Sequence, residues 1–498
     1  MPVSSTVRNT VPSQTPAQRT AVVELLRAAP VADELATRFA AAGHQLYLVG
    51  GSVRDALLGR LGTDLDFTTD ARPQQIQRLL AGWADTVWDT GIAFGTVGAV
   101  KRTTSCEITT FRADAYDRVG RKPEVVYGDT LEGDLVRRDF TVNAMAVALP
   151  VSARHGSDVG GLVDPYGGMD ALASRELDTP ATPQESFADD PLRMLRAARF
   201  VSQLGFTLAP RVHHAMTDMA GEIGRISAER VQAELSKLMT GAHPRRGVEL
   251  LVETVLAEHV LPEVAAMRLE IDEHHQHKDV YVHSLTVLDQ AIALETRDDP
   301  AGGPDLVLRL AALLHDIGKP ATRRHEPGGG VSFHHHEVVG AKLSRKRLRA
   351  LRYSNDVIED VAQLVFLHLR FHGYGRGEWT DSAVRRYVTD AGELLDRLHK
   401  LVRADSTTRN RRKAAALQRS YDDLEQRIER IRAEEDLARV RPDLDGNAIM
   451  ELLGVAPGPV VGRAWRHLKE VRLERGPLDR EEAEAELLRW AAENDLGR

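Results

Sequence analysis

The sequence has a single cysteine in 498 residues, Cys106, so no disulfide can form within the chain and the composition suits a reducing cytoplasm. No apolar run approaches the ~20 residues of a membrane-spanning helix, which argues against a membrane protein. A basic excess is missing too: 65 Lys and Arg stand against 73 Asp and Glu, a net charge of -8, so a nucleic acid would have to be held by local patches. The first 20 residues lack the apolar stretch of a secretory signal and are rich in Ser, Thr and Pro, as a disordered leader is. What remains is an ordinary soluble composition in a chain too long for one core, since single cores stop growing at roughly 250–300 residues. Three or more domains are expected.

Against that background one stretch stands out, Leu48-Val49-Gly50-Gly51-Ser52-Val53-Arg54-Asp55. The apolar run 46–49 reads as a buried strand, Gly50 and Gly51 let backbone approach a ligand closely, and Ser52 opens a short helix ending at Gly59. In the next strand Asp64 and Asp66 are two apart and share a face, while Leu65 and Phe67 point into a core. Each half alone has an ordinary reading, a turn and a solvated strand edge. Together, with Arg54 placed to neutralise phosphate, they describe a site for a nucleoside triphosphate carried on Mg²⁺. A helix over 30–42 precedes them, and a helix over 73–83 with strands at 86–88, 94–100 and 107–111 follows, making a small α/β head. Glu107, in the last strand, is either a third carboxylate near the metals or a surface glutamate. Residues 112–135 read as a mobile loop that could close over substrate. Arg137 and Arg138 then stand at the mouth of the apolar run 144–149, where their forked guanidinium groups can grip a triphosphate or serve a structural Arg–Asp pair.

Further on, Asp189-Asp190-Pro191-Leu192-Arg193 offers two readings. Pro191 suits a helix's first position with Asp190 as its N-cap. Alternatively Asp190 and Arg193, three apart, face one ligand: a carboxylate accepting from an exocyclic amino group and an arginine donating to the ring nitrogen beside it accept cytosine and adenine. Uracil and guanine would leave buried groups unpaired.

Taken as a set, these motifs resemble the class II CCA-adding tRNA nucleotidyltransferases and the related bacterial poly(A) polymerases, within the polymerase β-like nucleotidyltransferases. The Arg137-to-Ala144 string matches the family's second motif, 164–170 its head-to-neck turn, 189–200 its base-reading segment and 226–235 its helical neck. The resemblance implies two Mg²⁺ on Asp64 and Asp66, Gly50, Gly51, Arg54, Arg137 and Arg138 on the triphosphate, Asp190 with Arg193 on the base, and Arg196 and Arg199 as further triphosphate contacts. The family's usual Glu-Asp-x-x-Arg begins here with Asp189, the same charge on a shorter arm.

A second constellation resembles the HD phosphohydrolases: His283, His315-Asp316 at the end of an apolar helix, and Asp405. That likeness implies one divalent ion, a transition metal or Mg²⁺, on those four residues, with His336 and His368 as candidates for a second ion, and a substrate such as a 2′,3′-cyclic or terminal RNA phosphate. His334 and His335 are read as surface. A later helix repeats Leu417, Tyr421, Leu424, Ile428 and Ile431 at heptad-like spacing, a seam that predicts packing on the rest of the tail.

The expected architecture is α+β: a leader (1–29), a polymerase β-like nucleotidyltransferase head (30–172), an all-α neck and body for base recognition and RNA (173–270), an α-helical HD domain (271–410) and a helical tail (411–498). The expected activity is cytoplasmic, template-free addition of the tRNA 3′-terminal CCA from CTP and ATP. The rivals are a poly(A) polymerase on the same head, against which the acidic run 481–486 counts, and an HD phosphohydrolase or signalling-nucleotide sensor whose head only binds nucleotide. Two basic clusters, within 342–352 and 409–413, are either RNA contacts or solvated helix faces. Sequence sets no oligomeric state.

Overall fold

The structure is a computed structural model and describes residues 20, 30–60, 62–113, 126–149, 161–268, 279–327, 331–371, 374, 379–407, 410–435, 441–494 and 496. The expected leader, apart from residue 20, and residues 114–125 of the expected mobile loop lie outside these. The chain forms two compact units. One holds the described residues through Ser227 together with Arg246–His259, and the other holds Ala228–Arg245 and the described residues from Val260 onward.

The first unit is built on a seven-stranded mixed sheet: β1 Leu46–Val49, β2 Asp64–Thr69, β3 Thr86–Trp88, β4 Thr96–Lys101, β5 Thr104–Thr110, β6 Ala146–Leu149 and β7 Leu162–Val163, in the spatial order β3-β4-β5-β2-β1-β6-β7. Only the β2–β5 pair is parallel. Leu46, Leu48, Leu65, Phe67, Val97 and Ile108 pack on helices Pro30–Ala41 and Pro73–Leu80 in one core. Burying a Leu or Phe side chain contributes about 1.5–3 kcal/mol, and slipping β2 by one residue would trade Leu65 and Phe67 for Asp64 and Asp66. The core therefore fixes the face that the acids occupy.

Three expectations are corrected here. The strand expected at 94–100 runs over Thr96–Lys101, because Ile92–Phe94 forms a 3₁₀ turn. Part of the expected loop is the helix Leu131–Val136: the Thr130 hydroxyl accepts from the Gly133 N–H at 3.3 Å, and Leu131 and Leu135 anchor it in a second core with Val49 and Phe111. Behind the sheet come helices Pro183–Asp189 and Leu192–Leu204, with Asp190 between them and its Oδ1 accepting from the Leu192 N–H at 3.1 Å. The capping expectation is corrected: the helix begins at Leu192 with Pro191 in the N-cap position, and Asp190 ends the preceding helix while its side chain still accepts from the Leu192 N–H.

The second unit contains helices Val280–Asp298, Leu306–Leu314, His336–Ala350, Asn355–Leu367, Asp381–Ala391 and Leu395–Asp405. Among the described residues the main partners of the seam on Arg411–Glu434 are not the tail helices. The seam lies against Asp381–Ala391 and Leu395–Asp405, with Tyr421 stacked on Phe371 at 4.1 Å and its hydroxyl donating to Val402 O at 2.9 Å. The tail helices Gly446–Leu453, Pro459–Arg475 and Arg480–Glu493 close a core of their own around Ile449, Leu468 and Leu487, which leaves the seam to the helices before it. Among the described residues no helix is long and apolar enough to cross a membrane.

Candidate active sites

Strand alternation brings Asp64, Asp66 and Thr68 of β2 to the sheet face opposite the core, and the parallel register sets Glu107 of β5 beside Asp66. Among the described residues the three carboxylates have no cationic or hydrogen-bonding side-chain partner. Burial pushes the Asp66 carboxyl above its usual range, Glu107 and Asp64 add to the rise, and Arg138 and Arg196 oppose it. Like charges left uncompensated on one face fit a divalent cation with oxygen ligands. The acids do not converge as tightly as the histidine cluster described below: the described triads of ligating atoms that lie within 4.8 Å of one another both belong to the second unit.

Gly50 is held at φ +70, and a Cβ there would come within 3.0 Å of Arg138 Nη1 and 3.5 Å of Asp66 Oδ2. Only glycine keeps this turn and the space between arginine and acid. Gly51 opens the short helix Gly51–Leu57. Arg54, expected on the triphosphate, is turned into the protein: Nε and Nη2 donate to the two oxygens of Asp55 at 2.8 Å, Nη1 donates to Asn143 Oδ1 at 2.6 Å, and the group lies 5.0 Å over the Phe200 ring. It braces the glycine turn from beneath. Asn143 in turn donates to Asp139 Oδ1 at 2.9 Å, and Asp139 receives Arg196 Nε at 2.7 Å. Burial alone would raise the Asp139 pKa, but Arg196, the Asn143 hydrogen bond and Arg193 outweigh it and hold it at about 2.

The neck brings its arginines to the same place. Arg193 donates from Nη1 to Ser186 O and Oγ at 3.2 and 3.0 Å and from Nη2 to Arg137 O at 2.5 Å. Asp189 lies 3.5 Å from Arg193 and 3.6 Å from Arg137, so the shorter first acid ties the 189–193 segment to the paired arginines. Arg199 is buried against the Phe200 ring at 4.2 Å, behind Arg196. Sequence reasoning assigned no role to Asn143, Asp134 or Arg112. The one signal for Asp134 is its position four residues before Arg138, with which it pairs at 3.2 Å.

In the second unit six groups meet. His315, His336 and His368 each donate Nδ1–H to the carbonyl three residues earlier (Ala312 at 2.9 Å, Phe333 at 2.8 Å, Val365 at 2.6 Å), which leaves the Nε2 lone pair pointing inward. Their atoms fall into two convergent sets, His283 with His315 and Asp405, and Asp316 with His336 and His368. Asp316 spans both: Oδ2 lies 3.2 Å from His315 Nε2 and Oδ1 lies 3.3 Å from His336 Nε2. Asp316 Oδ2 also lies 3.6 Å from His283 Nε2, so Asp316 adjoins the first set as well as the second. Gly318 makes the second set possible, since a Cβ there would meet His336 O at 2.1 Å. Burial opposes a charged ring at His315, yet Asp316 and Asp405 raise its pKa to about 10 and are themselves held well below the usual range. A proton there stands where a cation would serve, and the buried Asp316 Oδ2 and His336 Nε2, which make ion-pair contacts but no well-formed hydrogen bond, make the same demand. Lys319, unassigned from sequence, reaches Asp316 at 3.0 Å. His334 and His335 are exposed.

The basic clusters are partly neutralised. Arg345 and Arg347 pair with Glu359 and Glu263, and Asn410 caps the helix carrying Arg412 and Lys413; Arg409 lies outside the described residues.

Comparison with known proteins finds three matches in order along the chain. Residues 46–178 match the Poly A polymerase head domain, 205–268 a probable RNA and SrmB-binding site of polymerase A, and 280–410 the HD domain. The A-adding tRNA nucleotidyltransferase of Deinococcus radiodurans is 35% identical over 456 residues, 90% of this chain and 95% of that one. The CCA-adding enzyme of Anoxybacillus flavithermus is 41% identical over 230 residues, 46% of this chain, a match spanning 54% of that enzyme. The crystal structure of the Bacillus stearothermophilus CCA-adding enzyme in complex with CTP superposes with a TM-score of 0.65 at 25% identity, over 97% of this chain and 99% of that one. With head, neck arginines and HD centre all in place along the chain, it belongs to the tRNA nucleotidyltransferase family that includes the CCA-adding enzymes.

Proposed function

We propose that the chain adds or repairs the 3′-terminal CCA of tRNA in the cytoplasm, using CTP and ATP without a template and releasing pyrophosphate. The observation that carries the reading is the face bearing Asp64, Asp66 and Glu107, with no cationic side chain paired to these acids among the described residues and with Arg138 set across Gly50 from Asp66. Asp64 and Asp66 would hold Mg²⁺, with Glu107 alongside; when bound, it supplies Lewis acidity to the α-phosphate and the attacking hydroxyl.

The chain's own residues bind and orient. The space that Gly50 leaves admits phosphate beside Arg138, and Arg137 continues the basic edge. Asp190 accepts from the amino group of cytosine or adenine while Arg193, steadied by Ser186, Asp189 and the Arg137 carbonyl, donates to the ring nitrogen. Uracil and guanine leave both unpaired. The tRNA 3′-oxygen bonds to the α-phosphorus, its proton goes to solvent, and the α-phosphorus–oxygen bond breaks with its electron pair leaving on pyrophosphate.

In the HD centre the imidazole-rich sets would favour a transition metal, which His283, His315 and Asp405 would hold, with Asp316, His336 and His368 as a second set of candidate ligands. A metal held there would supply Lewis acidity for hydrolysis of a phosphate ester, for which a 2′,3′-cyclic or terminal RNA phosphate is the proposed substrate.

The deciding experiment incubates the protein with tRNA lacking CCA, and with tRNA ending in CC, adding CTP and ATP singly and together. Two cytidylates followed by one adenylate support the reading, and long adenylate tails overturn it in favour of a poly(A) polymerase. One observation favours an A-only enzyme: the relative matched over 95% of its length carries that name. Extension of tRNA-CC by ATP, without any use of CTP, would establish that variant.

A further inference from the structure

Beside the acids, on the same sheet face, lies a hydrogen-bonded row that the reaction as described does not use. Thr68, two residues beyond Asp66, donates through Oγ1 to Thr109 O at 3.2 Å and to Asp134 Oδ2 at 3.1 Å. Thr109 and Thr96 hydroxyls meet at 2.9 Å, and Arg112 Nη2 donates to Thr96 Oγ1 at 3.3 Å. Asp134, 6% exposed, closes the row: Oδ1 accepts the Arg112 backbone N–H at 3.4 Å and Oδ2 accepts Arg138 Nη2 at 3.2 Å.

Asp134 thus stands beside two guanidinium groups, Arg112 and Arg138, while Arg137 is engaged by Asp189; burial pulls the Arg112 pKa down, the charge of Asp134 opposes it, and Arg137 and Arg138 add to the fall. Arg112 Nε and Arg138 Nε are both buried and have no hydrogen-bond acceptor among the described residues. A surplus of positive charge with buried donors that lack an acceptor among the described residues calls for an anion of several oxygens. Its position identifies that anion. Thr68 stands roughly 7 Å along the strand from Asp66, so the row extends from the acids by about the reach of a triphosphate tail.

Resting on the nucleotidyl-transfer reading above, we propose that Arg112, with Arg138, binds the β- and γ-phosphates of the incoming nucleotide and then the departing pyrophosphate, and that Asp134 is the positioning residue holding both arginines to the acid-bearing face. When the α-phosphorus–oxygen bond breaks, the electron pair moves onto the pyrophosphate oxygen. Arg112 carries part of that charge.

A charge-assisted hydrogen bond of about 1.5–3 kcal/mol corresponds to roughly 10–100-fold in affinity. In the full chain with Mg²⁺, Arg112→Gln should raise KM for CTP and for ATP by that factor alike and weaken inhibition by pyrophosphate to match. KM for tRNA and the melting temperature should be unchanged. Arg112→Lys should recover part of the loss, which a merely structural role would not predict. Asp134→Asn, checked for folding by its melting temperature, should weaken pyrophosphate binding by a smaller factor.

Calorimetric titration of pyrophosphate itself separates this inference from the function it rests on. If wild-type protein extends tRNA and Arg112→Gln binds pyrophosphate as wild type does, the inference fails alone. If Arg112 governs pyrophosphate binding but wild type does not extend tRNA, the function fails alone. A loss confined to tRNA KM would also overturn the assignment, moving Arg112 to the polynucleotide.

Discussion

The head and the HD centre both gather carboxylates for a cation, but they do so in opposite ways. In the head, Asp64 and Glu107 are exposed on an open sheet face and do not converge. In the HD centre, His315, Asp316, His336 and His368 are buried, three imidazoles are fixed by backbone carbonyls, and the ligating atoms lie within 4.8 Å in each set. A hard ion such as Mg²⁺ binds through one or two carboxylates and completes its shell with substrate phosphate and water, so a half-built site suffices. An imidazole site holds its metal without substrate and must be assembled beforehand. The first is organised to receive a metal–nucleotide complex, the second to retain an ion.

That contrast can be broken most severely at the acids. Asp66→Asn should lower tRNA extension by about 10³-fold or more, several kcal/mol of transition-state stabilisation, with the fold intact by circular dichroism. A loss of less than tenfold would remove Asp66 from the chemistry. Next in size, Asp190→Ala should raise UTP incorporation relative to CTP by about 10–100-fold in single-nucleotide assays, because the acceptor that rejects a carbonyl is gone. Unaltered selectivity would leave Asp190 as a helix cap only.

The HD centre sharpens the comparison from the other side. His315→Ala should weaken retained metal by about 10–100-fold, read by mass spectrometry after dialysis, and should abolish any phosphodiester hydrolysis without changing tRNA extension. If extension falls in step with metal content, the two sites are not separate in function. The smallest effect is on stability. Asp139 has a folded pKa of about 2 against an ordinary 3.8, so its contribution is complete above about pH 4 and is lost as pH falls through about 2. The loss is about 2 kcal/mol for the wild type and should be absent in Asp139→Asn, measured by denaturant unfolding across that range.

How much of this could be read from the sequence differs residue by residue. Asp64 and Asp66 were legible because a period of two needs only local geometry. Glu107 was ambiguous until the parallel register with β2 set it beside Asp66. Arg54 looked like a phosphate ligand because it follows two glycines, but Asp55, Asn143 and Phe200 together draw it inward, and two of those partners are far away in sequence. Asp134 and Arg112 sat in what reads as a polar loop, and their meaning depends on a threonine row contributed by three strands. The heptad seam was visible, yet its partner was not, since a seam records only that something apolar must cover it.

By itself, the sequence determined the alternation that separates acids from core, the caps and turns that start its helices, and the motif order that marks its family, all of which are set within a few residues. Only the tertiary structure decided which acid neighbours which, that Asp316 adjoins both ligand sets and that the seam packs on the helices preceding it. Those outcomes depend on register and close packing between distant segments, where a missing Cβ at Gly50 or Gly318 settles what can approach.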